Sequence, residues 1–289
     1  MPWSQLEFKV RAKDLARAES LLTLAGADAI ALGDAADVPL LEPAPGTTPV
    51  WPTIAVRALF SSFTAAQSVA EAISEELFVG GESVCCELNE SDWIEGLLQK
   101  PFRQLVGKRL ILLSAEEDAA GDRVSVRLRR GLAFGTGAHP TTRLCLEWLD
   151  THVTEETSII DYGCGSGVLA ISALRLGAHS AWALDIEPQA LVATLDNAEL
   201  NEVSNQIWIG EPAKLAEVRA DILAANIQAG SLIELSQRFR ELVAPGGRVL
   251  LSGILDDQAD DVLQAFSSGF GSFEKKTLDG WVALSASKY

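Results

Sequence analysis

The stretch that decides the fold of this 289-residue chain is IIDYGCGSG, at residues 159–167. Its apolar start predicts a short buried strand, and Gly163, Gly165 and Gly167 predict a tight loop. The apolar run that begins at Val168 predicts a helix. Glycine lets a ligand approach the backbone closely, and the start of a helix presents unpaired N–H groups. The stretch therefore predicts a ligand-binding loop between a strand and a helix.

Asp185 lies eighteen residues beyond Gly167, at the end of the next predicted strand. A carboxylate at this point of a wound sheet can accept hydrogen bonds from both hydroxyls of a ribose. Together, the glycine loop and Asp185 indicate a cofactor that contains a nucleoside.

Two cofactors of this kind fit the loop. Gly165, Gly167 and Ala170 satisfy the G-x-G-x-x-A fingerprint of nicotinamide dinucleotides. Asp161, however, puts a negative charge where a pyrophosphate would sit, and this charge suits the ammonium group of a methionine moiety. We therefore expect S-adenosylmethionine, with hydride transfer or a glycine turn without any ligand as the alternatives.

Strands and helices alternate from residue 158 onward, which is typical of a parallel sheet wound with helices. The chain ends in two strand-like pieces separated by Asp279-Gly280, a dipeptide that favours a hairpin. A parallel sheet closed by a hairpin fits the seven-stranded mixed sheet of methyltransferases better than the six-stranded sheet of dehydrogenases. We expect this Rossmann-like α/β domain to span residues 107–289.

The first 90 residues predict a separate domain. Their order of strand, helix, strand, strand, helix and strand is that of a ferredoxin-like α+β fold. Residues 91–106 predict a helical linker, interrupted at Pro101.

The composition excludes several classes of protein. Forty acidic residues against 23 basic ones give a net charge of −17, which disfavours direct binding to nucleic acid and favours a basic protein partner. Four cysteines without a C-x-x-C pair argue against disulfides and against a metal site. No stretch predicts a membrane span or a secretory signal. We therefore expect a cytoplasmic protein.

Residues 131–142, GLAFGTGAHPTT, followed by the loop at residues 161–167, resemble the PrmA family, the methyltransferases of the bacterial large-subunit ribosomal protein L-eleven. The resemblance extends to the opening Met1-Pro2-Trp3, the front domain and Trp93. It implies a class I methyltransferase that methylates lysine ε-amines and an N-terminal α-amine of a basic ribosomal protein. It also implies that the front domain holds this substrate. We expect the protein to be a monomer.

Further site residues follow from the same segments. Thr141 and Thr142 lie at a helix start, where they can bind the carboxylate of the cofactor, and the resemblance also makes Thr142 a cofactor contact. Phe134 lies in a glycine-rich stretch that we expect to be a mobile flap, and can shield the sulfonium from water. Asn226 follows a strand at the ligand-binding edge of the sheet, where the resemblance places a cofactor contact beside the methyl acceptor. The predicted catalytic residues are Asn226 and Phe134, and the predicted cofactor contacts are Asp161, Gly163, Gly165, Gly167, Thr141, Thr142, Asp185 and Asn226.

The chain departs from the family pattern outside the cofactor loop. Arg129-Arg130 replaces a usual Asp-Pro, Ala138 replaces a frequent Thr, and the run that follows Trp93 differs. Two alternatives therefore stay open for the substrate. The chain could methylate a different protein or a small amine, or it could be a non-catalytic cofactor-binding module that docks on a ribosomal partner.

Overall fold

The computed structural model of the chain divides into two compact units, residues 1–99 and residues 100–289. The residues it describes are 3–35, 50–72, 79, 83–88, 102–117, 121–129, 139–215 and 217–289. Within these ranges, no helix is long and apolar enough to cross a membrane. The same ranges contain no group of His, Cys, Asp and Glu side chains that could hold a metal ion.

The first unit is an antiparallel four-stranded sheet packed against two helices. Its elements are β1 (Trp3–Arg11), α1 (Leu15–Leu24), β2 (Ala29–Asp34), β3 (Thr53–Phe60), α2 (Phe63–Ala72) and β4 (Ser83–Leu88). The strand order is β2-β3-β1-β4, with every pair antiparallel. Leu6, Phe8 and Val10 alternate along β1 and are buried against both helices, because successive side chains of a strand point to opposite faces. This is the predicted ferredoxin-like arrangement.

The second unit begins with a three-stranded sheet that corrects part of the linker prediction. Its strands are β5 (Arg103–Val106), β6 (Leu110–Ser114) and β7 (Val124–Leu128). The predicted helix at residues 91–106 lies outside the described residues up to residue 101, and its last four residues form a strand. Leu105 is exposed and Val106 is buried, which is the alternation of a strand. β5 pairs antiparallel with β6, and the helical interpretation missed this pairing.

The remaining strands form the predicted seven-stranded mixed sheet, in the order β10-β9-β8-β11-β12-β14-β13. They are β8 (Ser158–Tyr162), β9 (Ser180–Leu184), β10 (Ile207–Gly210), β11 (Ala220–Asn226), β12 (Val243–Leu255), β13 (Glu274–Leu278) and β14 (Trp281–Ser287). Only β14 runs antiparallel to both of its neighbours. Asp279 and Gly280 both have positive φ, 51° and 80°, as a tight hairpin turn of the predicted kind requires.

In the part of the chain that the structure describes, five helices cover the two faces of this sheet. They are α3 (Pro140–His152), α4 (Val168–Arg175), α5 (Pro188–Leu200), α6 (Ala229–Leu242) and α7 (Ala259–Phe266). Successive residues of β8 point to opposite faces of the sheet and belong to two different cores. Ile159 packs with α3, α4 and α5, and Ile160 packs with α6 and α7. The strand order reverses between β8 and β11, and wound sheets bind ligands at the carboxyl ends of the strands beside such a reversal. The topology therefore places a ligand site at the ends of β8, β9 and β11.

The carboxylate of Asp150, in α3, holds the β5–β6 turn. It is 4% exposed and accepts hydrogen bonds from the backbone N–H groups of Lys108 at 2.7 Å and Arg109 at 3.1 Å. The Arg109 side chain pairs with it at 3.3 Å. A Cβ at Gly107, whose φ is +54°, would lie 2.5 Å from the same carboxylate. One buried acceptor therefore fastens the small sheet to α3.

Replacing this acceptor should destabilise the second unit. Asp150→Ala is expected to lower the free energy of unfolding by about 2–4 kcal/mol, because two backbone N–H groups lose their acceptor and Arg109 loses its ion pair. Arg143→Ala is the matched control, since it removes an exposed ion pair with Glu147 on the same helix and should cost less than about 0.5 kcal/mol. Urea unfolding measures both losses, and equal losses would contradict the role of Asp150.

Candidate cofactor site

The three glycines of the loop adopt conformations that other residues avoid. Gly163, Gly165 and Gly167 have φ of 79°, 55° and 76°. A Cβ on Gly163 would overlap the Cγ2 atom of Ile227, and a Cβ on Gly167 would lie 2.7 Å from the Cγ2 atom of Thr194. Both conformation and space therefore require glycine at Gly163 and Gly167.

The loop is built around the last residue of β9. The carbonyl oxygen of Leu184 accepts hydrogen bonds from the N–H groups of Gly163 at 2.7 Å and Cys164 at 2.9 Å. The loop then closes on itself, because the N–H of Gly167 donates to the carbonyl of Cys164 at 2.8 Å. These bonds fix the path of the backbone from β8 into α4.

Asp185 follows β9 directly, and its carboxylate lies against the loop. Its Oδ2 accepts from the N–H of Gly165 at 2.9 Å, and its Oδ1 accepts from the N–H of Glu187 at 3.0 Å. Each oxygen therefore has one fixed backbone donor, which sets the orientation of the carboxylate. Each oxygen also keeps a lone pair for a ligand.

Asp161 has a different environment. It is 1% exposed, and its Oδ2 accepts from the N–H of Ala170, near the start of α4, at 3.0 Å. Burial raises the pKa of this carboxyl to about 7, the bond from Ala170 opposes the rise, and the negative charge of Asp185 adds to it. Among the described residues, Asp161 is not one of those that line the cavity beside the loop. Its carboxylate stabilises the start of α4.

The cavity lies at the carboxyl edge of the sheet and has a volume of about 680 Å³. This size suits a cofactor, since small-molecule sites commonly measure about 300–1,000 Å³. The described residues that line it are Tyr162, Gly163, Gly165, Asp185, Ile186, Glu187, Gln189, Ala190, Pro212, Asn226, Ile227, Gln228, Ser231 and Leu235. Three predicted cofactor contacts in addition to Asp185 are thus part of its wall: Gly163, Gly165 and Asn226.

A further predicted residue, Thr142, lies against Asn226 at the end of β11. The side-chain nitrogen of Asn226 donates to the Oγ1 of Thr142 at 3.3 Å. Thr141 and Thr142 lie in the first turn of α3 and are buried. The residue that caps this helix is His139, whose Nδ1 accepts from the N–H of Thr141. Phe134 and the glycine-rich stretch around it lie outside the described residues.

Comparison with known proteins decides the family. The chain matches, over residues 2–289, the family described as ribosomal protein L11 methyltransferase (PrmA). It belongs to this family. A ribosomal protein L11 methyltransferase of Hahella chejuensis is 40% identical over 288 residues, which is 99% of this chain and 98% of that relative. One from Methylococcus capsulatus is 43% identical over 293 residues, with 98% of each chain covered.

A solved structure in the same family has the same fold. The crystal structure of a ribosomal protein L11 methylase from Lactobacillus delbrueckii subsp. bulgaricus is 30% identical to this chain, with a TM-score of 0.59. The match covers 64% of this chain and 98% of that one. The predicted PrmA family, class I methyltransferase fold and methyltransferase activity with S-adenosylmethionine are therefore confirmed.

The site fits this cofactor on its own geometry. The loop leaves no room for a Cβ at Gly163, so backbone rather than side chain faces the cavity there. Asp185 stands beside the loop with both oxygens oriented. These are the features that a nucleoside requires.

The sequence analysis missed a set of residues behind the loop. The Oγ1 of Thr194, in α5, donates to the carbonyl of Gly165 at 3.0 Å, and the Nδ2 of Asn197 donates to the carbonyl of Ser166 at 2.9 Å. Their spacing of three residues is a signal that they share one face of the helix.

The contact between Gly163 and Ile227 can be tested by a double-mutant cycle. Gly163→Ala should lower the free energy of unfolding by about 2–4 kcal/mol, because it combines an overlap with an unfavourable positive φ. Combining it with Ile227→Ala should recover roughly 1–2 kcal/mol, since the overlapping methyl group is removed. Urea unfolding of the two single variants and the double variant gives the coupling free energy between the two positions. Strictly additive changes in the free energy of unfolding would show that the methyl group of Ile227 does not exclude a Cβ at residue 163.

Proposed function

We propose that this chain transfers methyl groups from S-adenosylmethionine to lysine ε-amines and to the N-terminal α-amine of ribosomal protein L11. The observation that carries the proposal is the cavity at the carboxyl edge of the sheet, where the glycine loop, Asp185 and Asn226 meet. L11 is the protein that the names of the relatives give as their substrate.

Three segments of the chain hold the cofactor in this proposal. Asp185 accepts hydrogen bonds from the ribose hydroxyls, through the lone pairs that Gly165 and Glu187 do not use. The backbone at Gly163, Gly165 and Gly167 allows the close approach of the nucleoside. The first turn of α3, at Thr141 and Thr142, binds the carboxylate of the methionine moiety.

Asn226 orients the methyl acceptor. Its side-chain nitrogen donates to Thr142, so its amide oxygen is the group that can accept a hydrogen bond from the incoming amine. When bound, the cofactor would supply an electrophilic methyl group that a neutral amine can accept, with S-adenosylhomocysteine leaving as the bond between sulfur and the methyl carbon breaks. A free lysine has a pKa of about 10.4 and must lose its proton first, and burial in an apolar channel lowers this pKa. We also assign Phe134, outside the described residues, to shielding the sulfonium from water.

The substrate is a basic protein in this proposal. The net charge of −17 favours encounter with such a partner and disfavours direct binding to nucleic acid. We assign recognition of the substrate to the ferredoxin-like domain, residues 1–90. We further propose that the enzyme acts as a monomer in the cytoplasm. Light scattering of the purified protein tests the monomer, and cell fractionation tests the location.

A transfer assay tests the function directly. Purified chain, S-adenosylmethionine labelled in its methyl group and recombinant L11 are incubated, and the labelled positions are mapped by mass spectrometry. We expect label on lysine side chains and on the N-terminal amine of L11. An L11 preparation whose amines have been chemically acetylated is the control, and it should stay unlabelled.

The same assay separates the alternatives. For this purpose the assay is repeated with a cell extract. Label that appears only on other proteins or on small amines of the extract would identify a substrate other than L11. The departures from the family pattern at Arg129-Arg130 and Ala138 are the reason for considering another substrate. Cofactor binding without transfer of a methyl group to any amine would indicate a non-catalytic binding module and would contradict the proposed activity.

Two substitutions should separate cofactor binding from acceptor positioning. Asp185→Ala should weaken the binding of S-adenosylhomocysteine by about 1–3 kcal/mol, because a charge-assisted hydrogen bond is lost. Asn226→Ala should lower kcat more than it weakens binding, because the acceptor loses its orienting group. Calorimetry and initial rates measure the two effects. Unchanged affinity would contradict the role of Asp185, and an unchanged kcat would contradict that of Asn226.

Asp161 offers a test through proton release. We propose that the ammonium group of the cofactor approaches Asp161, whose pKa burial raises to about 7. A nearby positive charge favours the ionised carboxylate and lowers this pKa, so binding of S-adenosylhomocysteine at pH 7 should release part of a proton. Asp161→Asn should abolish this release. Calorimetry in two buffers with different ionisation enthalpies counts the protons, and equal counts for both proteins would exclude the contact.

A further inference from the structure

Helix α5 and the residue that caps its carboxyl end, Asn201, bury three polar side chains, while two large apolar side chains of the helix are exposed. Thr194, Asn197 and Asn201 are 0%, 1% and 5% exposed, whereas Val192 and Leu195 are 60% and 45% exposed. Residues spaced by three and four positions lie on one face of a helix, so the three polar residues form a continuous buried stripe. Because a buried polar group is stable only with a hydrogen-bond partner, the partners of this stripe explain why it is polar.

The amino-terminal end of the stripe holds the glycine loop. The Oγ1 of Thr194 donates to the carbonyl of Gly165 at 3.0 Å and lies 3.3 Å from the Sγ of Cys164. This contact reaches only the loop.

The carboxyl-terminal end of the stripe holds β7. The Oδ1 of Asn201 accepts from the N–H of Arg127 at 2.8 Å, and its Nδ2 donates to the carbonyl of the same residue at 2.7 Å. The amide thus completes both backbone hydrogen bonds of one strand residue, as a neighbouring strand would. It also donates to the carbonyl of Asn197 within the helix.

Asn197 lies between them and reaches both. Its Nδ2 donates to the carbonyl of Ser166 in the loop at 2.9 Å, and its Oδ1 accepts from the N–H of Arg129, just after β7, at 2.9 Å. Only a side chain that donates and accepts at its tip can make this bridge, and a primary amide does so without charge. From Arg129 the chain continues into residues 131–142, the segment most typical of the family.

We propose that Asn197 is a positioning residue that couples the cofactor loop to the backbone at Arg129. A ligand that orders the loop fixes the carbonyl of Ser166, and Asn197 passes this order to the backbone N–H of Arg129. The inference rests on the proposed cofactor site, but not on the identity of the methyl acceptor.

The test measures amide hydrogen exchange by NMR, with and without S-adenosylhomocysteine. In the unmodified chain, the ligand should slow exchange of the Arg129 amide by about tenfold or more. In Asn197→Ala this response should be lost, and ligand affinity should fall about three- to tenfold, the effect of one hydrogen bond. Asn201→Ala is the matched control: it should speed exchange at Arg127 and leave ligand affinity within about twofold.

A second variant keeps the test decisive if Asn197→Ala does not fold. Asn197→Asp keeps the acceptor for Arg129 and loses the donor to Ser166, so the Arg129 amide should stay protected without responding to the ligand. A purely structural role would lower the melting temperature of the Asn197 and Asn201 variants alike and leave the ligand response intact.

The outcomes separate this proposal from the proposed function. An Arg129 amide that ignores the ligand in the unmodified chain, or still responds to it in either Asn197 variant, would overturn the coupling. Ligand-dependent protection that disappears with Asn197, in a chain that leaves L11 unlabelled, would support the coupling while rejecting the substrate. If S-adenosylhomocysteine does not bind the unmodified chain, both the coupling and the cofactor site are overturned.

Discussion

The site depends on one carbonyl group, that of Leu184 at the end of β9. It accepts hydrogen bonds from the N–H groups of both Gly163 and Cys164. The chain that leaves β8 must therefore fold over the end of the neighbouring strand β9. That path places the N–H of Gly165 against Asp185 and gives the glycines their positive φ values. The cavity wall follows from these bonds, because a loop on any other path would present side chains where backbone must face the ligand.

Buried polar side chains behind the loop make this path rigid. Asp161, Thr194 and Asn197 are almost fully buried, and each is bonded to the backbone of the loop or of the helix that follows it. A buried polar group without a partner costs about 1–3 kcal/mol. Any displacement of the loop would therefore break several bonds at once. Thr194 and Asn197 thus favour the binding conformation of the loop without touching the ligand, which reduces but does not remove the ordering that binding requires.

Local signals explain which features could be predicted from the sequence. The loop glycines, Asp185 and the Asp279-Gly280 turn each act through their own backbone or a neighbouring strand end, and the structure has all of them where they were expected. The strand Arg103–Val106 was misread as helix because its alternation is short and its partner lies beyond a turn. Asn197 was missed because its role arises from Arg129, 68 residues earlier in the chain, and from Ser166, 31 residues earlier. No local pattern predicts which distant residues form such pairs, although the spacing of the polar residues in α5 indicates that they share one helix face.

The charge of the site explains why its ligand is a cation rather than a dinucleotide. Asp185 and Glu187 belong to the described cavity wall, and that part of the wall includes no lysine or arginine. Asp161 lies behind it and interacts unfavourably with Asp185, which contributes to its raised pKa. A pyrophosphate would add two negative charges to this arrangement, whereas a sulfonium and an ammonium would offset those already present. The glycine fingerprint alone fits either cofactor, and the electrostatics of Asp161 and Asp185 favour the methyl donor of the family.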